Sequence, residues 1–259
     1  MAARLAAIDL DGTLLRRDGS VSERSRRAIA SALGRGIDVV IVSARGPRGV
    51  AEIAGAAGVS GTAICSNGGI LLDLDTGSIA RARPLQPAVA IDLVRKLRER
   101  LPGIVFAMEY DDFAYEPGFA AWNWTPPSDS RVGDAVELLG EPAAKLILRH
   151  EEHTLEAIAE AAGELAGDDA EVMISGEWTV EVTAAGVDKA AALAELCAER
   201  GLDAADVVAF GDMPNDLPML AWAGRAIAVA NAHPDVLAAA DEVTAANDDD
   251  GVAIVLERL

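Results

Sequence analysis

Asp9 and Asp11 stand two positions apart where an apolar run ends, in the stretch Leu5-Ala6-Ala7-Ile8-Asp9-Leu10-Asp11-Gly12-Thr13. Residues i and i+2 of an extended chain face the same way, so both carboxylates leave one strand end together. Such a pair offers a nucleophile and a proton donor, or oxygen ligands for a hard cation. Gly12 lets the backbone turn and approach a ligand closely, and Thr13 adds a hydroxyl. An ordinary Asp-Gly turn is the plain alternative. Further polar residues flank apolar runs along the chain: Ser43, Lys189, and the group Asp212, Asn215 and Asp216.

These residues need elements to bring them together. The run before Asp9 reads as a buried parallel-sheet strand. Ser22 caps a helix expected to reach about Arg35, with Gly36 as its stop. Residues 37–42 form a second buried strand, Pro47 and residues 51–57 a second helix, and residues 62–66 a third strand followed by Asn67-Gly68-Gly69. This β-α-β-α-β alternation implies a parallel sheet with right-handed crossovers, whose strand ends gather on one edge. Ligands of open α/β folds bind at that edge.

The texture changes from about residue 70. A hairpin around Asp75-Thr76-Gly77 is followed by helices expected at 88–100 and 152–166, with strands at 104–116, 145–148, 171–174 and 178–182. This is an α+β insert with antiparallel character, and it holds most of the aromatic residues. After Gly186 the core alternation resumes, with a helix opening at Asp188-Lys189, a strand at 207–210, a helix at 217–222 and a strand at 226–229 ending in Asn231. Asp188 reads as a helix cap. The acidic stretch Asn247 to Gly251 reads as a solvated loop before the last helix. The expected fold is therefore α/β, a doubly wound, Rossmann-like core from residues 1–82 and 183–259, with an α+β domain inserted at 83–182.

A formal charge of −20 and a pI near 4.4 disfavour nucleic acid and anionic membrane surfaces as partners. An anionic small molecule would need a local cation, which points to a bound divalent metal. No apolar stretch reaches the length of a membrane span, and no signal segment precedes the first strand, so a cytoplasmic location is expected. Cys65 and Cys197 lie in apolar runs and read as buried thiols. His150, His153 and His233 lack metal-ligand spacing.

Four motifs, DLDGT at 9–13 with its preceding strand, a Ser closing a strand at 43, Lys189, and GDMPND at 211–216, stand in the order found in the haloacid dehalogenase superfamily of phosphatases. The chain resembles that family over nearly its whole length, and its insert is similar to the C2-type cap of the Cof-like, subclass IIB branch. The resemblance implies an Mg²⁺-dependent phosphomonoesterase in which Asp9 attacks phosphorus and forms an aspartyl-phosphate. It implies Asp11 as general acid and base, and metal ligation by the Asp9 carboxylate, the Asp11 carbonyl and Asp212, supported by Asp216. It further implies phosphate binding by Gly12, Ser43, Lys189 and Asn215. Each role has a physical rationale: the cation masks the repulsion between a carboxylate and a phosphate dianion, and Lys189 and Ser43 meet the transferring oxygens.

Arg45, Asn67, Trp122, Trp124, Trp178 and Glu181 are the candidates for substrate contact, Arg149 a weaker one. Where relatives carry Gly before the Arg, this chain has Ala44, a departure at the turn that aims Arg45. The substrate is expected to be a small phosphorylated metabolite, with sugar phosphates favoured, admitted by opening and closing of the cap. Two rivals stay open: a phosphotransferase or mutase using the same intermediate, and a phospho-aspartate signalling module. The second is much shorter in its usual form and lacks an acid two positions after the phosphorylated one.

Overall fold

The structure, a computed structural model, describes residues 3–110, 112–121, 126–175 and 178–259. The chain divides into two compact units, one made of residues up to Arg81 and from Asp188 onward, the other spanning Ala82–Val187.

The first unit opens with β1 (Leu5–Ile8), followed by α1 (Glu23–Gly34), β2 (Asp38–Ile41), α2 (Pro47–Ala57), β3 (Thr62–Cys65), β4 (Ile70–Asp73) and β5 (Ser78–Ala82). β1 is wholly buried because it runs mid-sheet, where an apolar chain without interruption is required. Ser22 caps α1 by accepting from the Ser25 amide at 2.9 Å, as its position before the helical pattern predicts. β3 joins β2 through a parallel bridge between Val42 and Ile64 and pairs with β4 in antiparallel fashion.

The second unit contains α3 (Pro87–Arg100), β6 (Val105–Glu109), β7 (Phe113–Tyr115), β8 (Arg131–Val132), α4 (Ala135–Leu138), β9 (Lys145–Arg149), α5 (Leu155–Ala166), β10 (Ala170–Ser175) and β11 (Thr179–Ala184). Its six strands are ordered β10-β11-β9-β6-β7-β8 and are antiparallel except for the β7–β8 pair. The period-2 pattern of β9 shows how the sheet is used. Leu146 and Leu148 join the core shared with α3 and α5, whereas Ile147 packs with Ala107 and Phe119 on the opposite face. The strands expected around 104–116 are β6 and β7, which pair in antiparallel fashion, and the Tyr110 amide donates to the Asp112 carbonyl between them. The helix expected from Glu152 begins at Leu155, since Thr154 provides its cap at the Ala157 amide.

The chain then returns to the first unit with α6 (Lys189–Glu199), β12 (Val207–Gly211), α7 (Leu217–Trp222), β13 (Arg225–Ala228), α8 (Pro234–Ala239), β14 (Glu242–Val243) and α9 (Gly251–Leu256). The core sheet has the order β14-β13-β12-β1-β2, all parallel. Ile8 lies level with Phe210 of β12 and with Ile41 of β2. This register brings the strand ends at Asp9, Gly211-Asp212 and Val42-Ser43 to one edge.

The stretch from Asn247 is exposed at Asp248 and Asp249, as expected of a solvated loop, but its ends are tied to the rest of the unit. Asn247 is buried, donates from Nδ2 to the Leu15 carbonyl at 2.8 Å and from its amide to Asn231 Oδ1 at 2.9 Å, while Asp250 pairs with Arg16. Polar side chains are needed there to satisfy backbone groups of the segment leaving the Asp9–Thr13 turn.

Candidate active site

Leu10–Leu14 forms one wide turn closed by hydrogen bonds from Leu14 to Asp9 at 3.2 Å and from Leu15 to Leu10 at 2.8 Å. Wide turns of this kind recur at functional sites. Gly12 adopts φ +79°, and a Cβ placed there would lie 2.2 Å from Asp212 Oδ2. Only a residue without a side chain allows this approach. Gly12→Ala is therefore expected to lose about 1–2 kcal/mol from the left-handed backbone alone and to displace the Asp212 carboxylate. A denaturant midpoint equal to that of the parent protein would contradict the turn as described.

Asp9, Asp212 and Asp216 are buried, and one ligand atom from each lies within 4.8 Å of the others. Lys189 is buried among them, donating from Nζ to Asp9 Oδ1 at 2.8 Å and to Asp216 Oδ1 at 2.6 Å. The remaining Asp216 oxygen accepts from the amides of Asp212 at 3.0 Å and Met213 at 3.1 Å. Asp216 is thus fully engaged in holding the Asp212 loop and Lys189, which suits a supporting position. Thr13 Oγ1 donates to Asp212 Oδ1 at 2.7 Å and fixes that carboxylate from the other side.

The electrostatics follow from one ammonium facing three buried carboxylates. Burial raises the Asp9 carboxyl well above its ordinary range; Lys189 opposes the rise, and Asp216 and Asp212 add to it. Asp212 is pushed up to about 7 by burial and then by Asp216, against the hydrogen bond from Thr13 and the charge of Lys189. Burial works against the Lys189 ammonium, and so does its place in the first turn of α6, but Asp216 and Asp9 outweigh burial and raise its pKa. The pocket keeps an excess of negative charge carried by oxygen donors. A hard divalent cation such as Mg²⁺ fits that donor set; a soft metal would not.

Asp11 stands apart from this cluster. Its carboxylate is exposed and receives Arg45 in a bidentate pair, from Nε and Nη2, each at 2.6 Å. Ala44 has therefore not prevented Arg45 from pointing into the Asp9–Thr13 loop. Ser43 is buried beside it and accepts from the Arg45 amide at Oγ. Asp188 caps α6 by accepting from the Ala191 amide at 2.7 Å, which fixes Lys189 in the first turn.

Asn215 and Asn67, expected near phosphate and substrate, are both buried and meet each other, with Asn215 Nδ2 donating to Asn67 Oδ1 at 3.0 Å. Asn215 Oδ1 is buried without a hydrogen-bond partner among the described residues. Glu181 is buried in the second unit and pairs with Lys145 at 2.8 Å; Arg149 lies over the Phe119 ring at 4.5 Å. Trp178, at 65% relative exposure, belongs to the same unit. Trp122 and Trp124 lie outside the described residues.

Two contributors were not singled out by sequence reading. Thr13 was noted only for its hydroxyl, although its place in the motif is what aims it at Asp212. Asn231 donates from Nδ2 to the Gly12 carbonyl at 2.8 Å and accepts from the Asn247 amide at 2.9 Å, tying the turn to the 247–250 segment. A polar residue closing the apolar run 226–230 on the same sheet edge was its signal.

A family model described as haloacid dehalogenase-like hydrolase matches residues 6–256. The chain belongs to this family. Among curated relatives of this hydrolase, pyridoxal phosphate phosphatase YbhA of Escherichia coli (strain K12) is 28% identical, covering 98% of this chain and 97% of that protein. The 5-amino-6-(5-phospho-D-ribitylamino)uracil phosphatase YcsE of Bacillus subtilis (strain 168) is 29% identical over 96% of this chain and 93% of its own length. A haloacid dehalogenase-like hydrolase from Bacteroides thetaiotaomicron has a crystal structure that superimposes with a TM-score of 0.81 at 26% identity, covering 99% of each chain. The fold of this hydrolase, a parallel α/β core with an inserted α+β unit, is that of the family. Among its described residues, no helix is long and apolar enough to cross a membrane.

Proposed function

We propose that the protein is an Mg²⁺-dependent phosphomonoesterase that works through an aspartyl-phosphate on Asp9. The observation that carries this reading is the buried Lys189 held between Asp9 and Asp216, with Asp212 alongside. A carboxylate attacks a phosphate ester only when the repulsion between them is neutralised, and this pocket supplies an ammonium together with a cation-binding donor set. Asp9 and Asp212 would hold Mg²⁺, with Asp216 behind them. When bound, the cation supplies charge neutralisation of the phosphoryl group.

Asp9 Oδ attacks phosphorus and the ester oxygen leaves as an alcohol, receiving its proton from Asp11. Water then attacks the phosphorus of the acyl phosphate, giving its proton back to Asp11 and releasing Asp9 and inorganic phosphate. Lys189, Ser43 and the amides around Gly12 stabilise charge on the phosphoryl oxygens. Arg45 engages both Asp11 oxygens, so it has to release one of them before Asp11 carries the proton. The substrate is a small phosphorylated metabolite. Sugar phosphates and phosphorylated cofactors or their precursors come first, the latter because of the names carried by the relatives.

The test is phosphate release from a panel of sugar phosphates, pyridoxal phosphate, nucleotides and p-nitrophenyl phosphate, with Mg²⁺ and with EDTA. Release in Mg²⁺ that falls at least about 100-fold in EDTA is expected, because the excess carboxylate charge then repels the substrate. Unchanged release in EDTA would overturn the metal's part. If phosphate appears on an added sugar acceptor instead of in solution, the activity is transfer and not hydrolysis.

A further inference from the structure

The turn Ser66-Asn67-Gly68, between β3 and β4, carries three consecutive residues with positive φ, at 51°, 53° and 102°. Ser66 and Asn67 are not glycines, and both are fully buried. A strained backbone of this kind persists only where its surroundings hold it, and such strain clusters at functional sites.

What holds the turn is the set of loops that carry the site. The Ser66 amide donates to the Arg45 carbonyl at 2.9 Å and the Asn67 amide to the Ser43 carbonyl at 3.0 Å. Asn67 Oδ1 accepts from Asn215, adjacent to Asp216, at 3.0 Å. Gly68 packs against the start of α6 so closely that a Cβ would lie 2.2 Å from the Asp188 carbonyl oxygen, next to Lys189. One short turn thus touches the loop of Ser43 and Arg45, the helix start at Lys189 and the loop of Asp212 to Asp216. These segments come from distant parts of the chain and have to agree to within a fraction of an ångström for Lys189 to meet Asp9 and Asp216 together.

We infer that the Ser66-Asn67-Gly68 turn is a positioning element of the site, with the Asn67–Asn215 hydrogen bond as the tie that fixes the Asp212–Asp216 loop relative to Ser43 and Lys189. Asn67 and Asn215 are positioning residues in this reading, acting through Asp216 and Lys189 and not on substrate. The inference deepens the phosphomonoesterase reading and rests on it for its consequence in rate, but the tie itself is independent of the reaction.

The experiment compares Asn67→Gly, Asn215→Ala and the double variant. Gly at 67 keeps the left-handed backbone at no steric cost while removing the hydrogen bond, so it separates the tie from the strain. With p-nitrophenyl phosphate and Mg²⁺, each single variant is expected to lower kcat about 10-fold with KM changed less than about threefold. The double variant is expected to be no slower than the worse single, since both remove one interaction. Amide hydrogen exchange supplies a readout without catalysis: Asn67→Gly should speed exchange at the Asp212 and Met213 amides, and Asn215→Ala should speed it at the Ser66 and Asn67 amides, by about 10-fold.

A multiplicative loss in the double variant, or wild-type kcat in Asn67→Gly, would overturn the inference. Unchanged exchange in both singles would overturn it as well. If the wild type releases no phosphate, the phosphomonoesterase reading fails, and the exchange data alone decide the tie.

Discussion

Asp9→Asn is expected to abolish phosphate release, lowering kcat by at least about 10⁴-fold, while making the metal-free protein more stable. The amide is nearly isosteric, and its oxygen can still accept from Lys189, but it is a far poorer nucleophile than a carboxylate. The gain in stability follows from the sign of the electrostatics. Burial, Asp216 and Asp212 raise the folded-state pKa of Asp9 above its ordinary value in spite of Lys189. A carboxyl whose pKa is raised by folding destabilises the native state once the pH exceeds its unfolded pKa, because the unfolded chain gives up that proton first.

A neutral side chain at 9 removes the penalty, and a gain of about 1 kcal/mol would raise the thermal midpoint by about 2–4 °C. Metal-free wild type should also lose stability as pH rises from the ordinary carboxylate range toward 7, the value to which Asp212 is pushed. Mg²⁺ should flatten that slope. A variant that loses activity and unfolds at lower temperature would mean that Asp9 is needed for the fold and would leave the nucleophile unassigned.

Lys189→Met is expected to damage both properties. The ammonium is buried and pairs with two of three clustered carboxylates. Removing one partner of a buried ionic group leaves uncompensated charge, at a cost of about 3–5 kcal/mol. Its effect on rate is of the same size, at least about 10³-fold in kcat, since a cation on the transferring oxygens is among the strongest contributions in phosphoryl transfer. Mg²⁺ should restore part of the stability by supplying charge to the same carboxylates, and little of the rate. Lys189→Arg keeps the charge but forces a larger planar group into a closed pocket, so it should recover less than half of the lost stability. Denaturation with and without Mg²⁺, beside steady-state kinetics, reads these effects. Retention of kcat within threefold in Lys189→Met would remove Lys189 from the site.

Most of the core was legible in the sequence because its strands are unbroken apolar runs ending in polar residues, a pattern that fixes both the strand and its functional end. Ser22 and Asp188 were legible as caps for a local reason, a short polar side chain placed before a helical run. Asp9, Asp212, Asp216 and Lys189 converge as their order along the sheet edge requires. What was not legible depends on tertiary register. Asn231 and Asn247 are ordinary polar residues until β13 and the last loop bring them to the Asp9–Thr13 turn. Asn67 and Asn215 read as contacts for phosphate or substrate from their places at strand ends; the hydrogen bond between them was not legible, because they lie 148 residues apart in sequence. Glu181 could not be seen as the partner of Lys145, because the two come from neighbouring strands 36 residues apart in sequence.

The central claim is that phosphate passes through Asp9. The most direct measurement mixes enzyme with its best substrate and Mg²⁺, quenches in acid, reduces with borohydride and maps the peptides by mass spectrometry, since borohydride converts an acyl phosphate of aspartate to homoserine. Homoserine at position 9, absent without substrate and absent from Asp9→Asn, is the predicted result. Covalent phosphate on another residue, or steady phosphate release by Asp9→Asn, would contradict it.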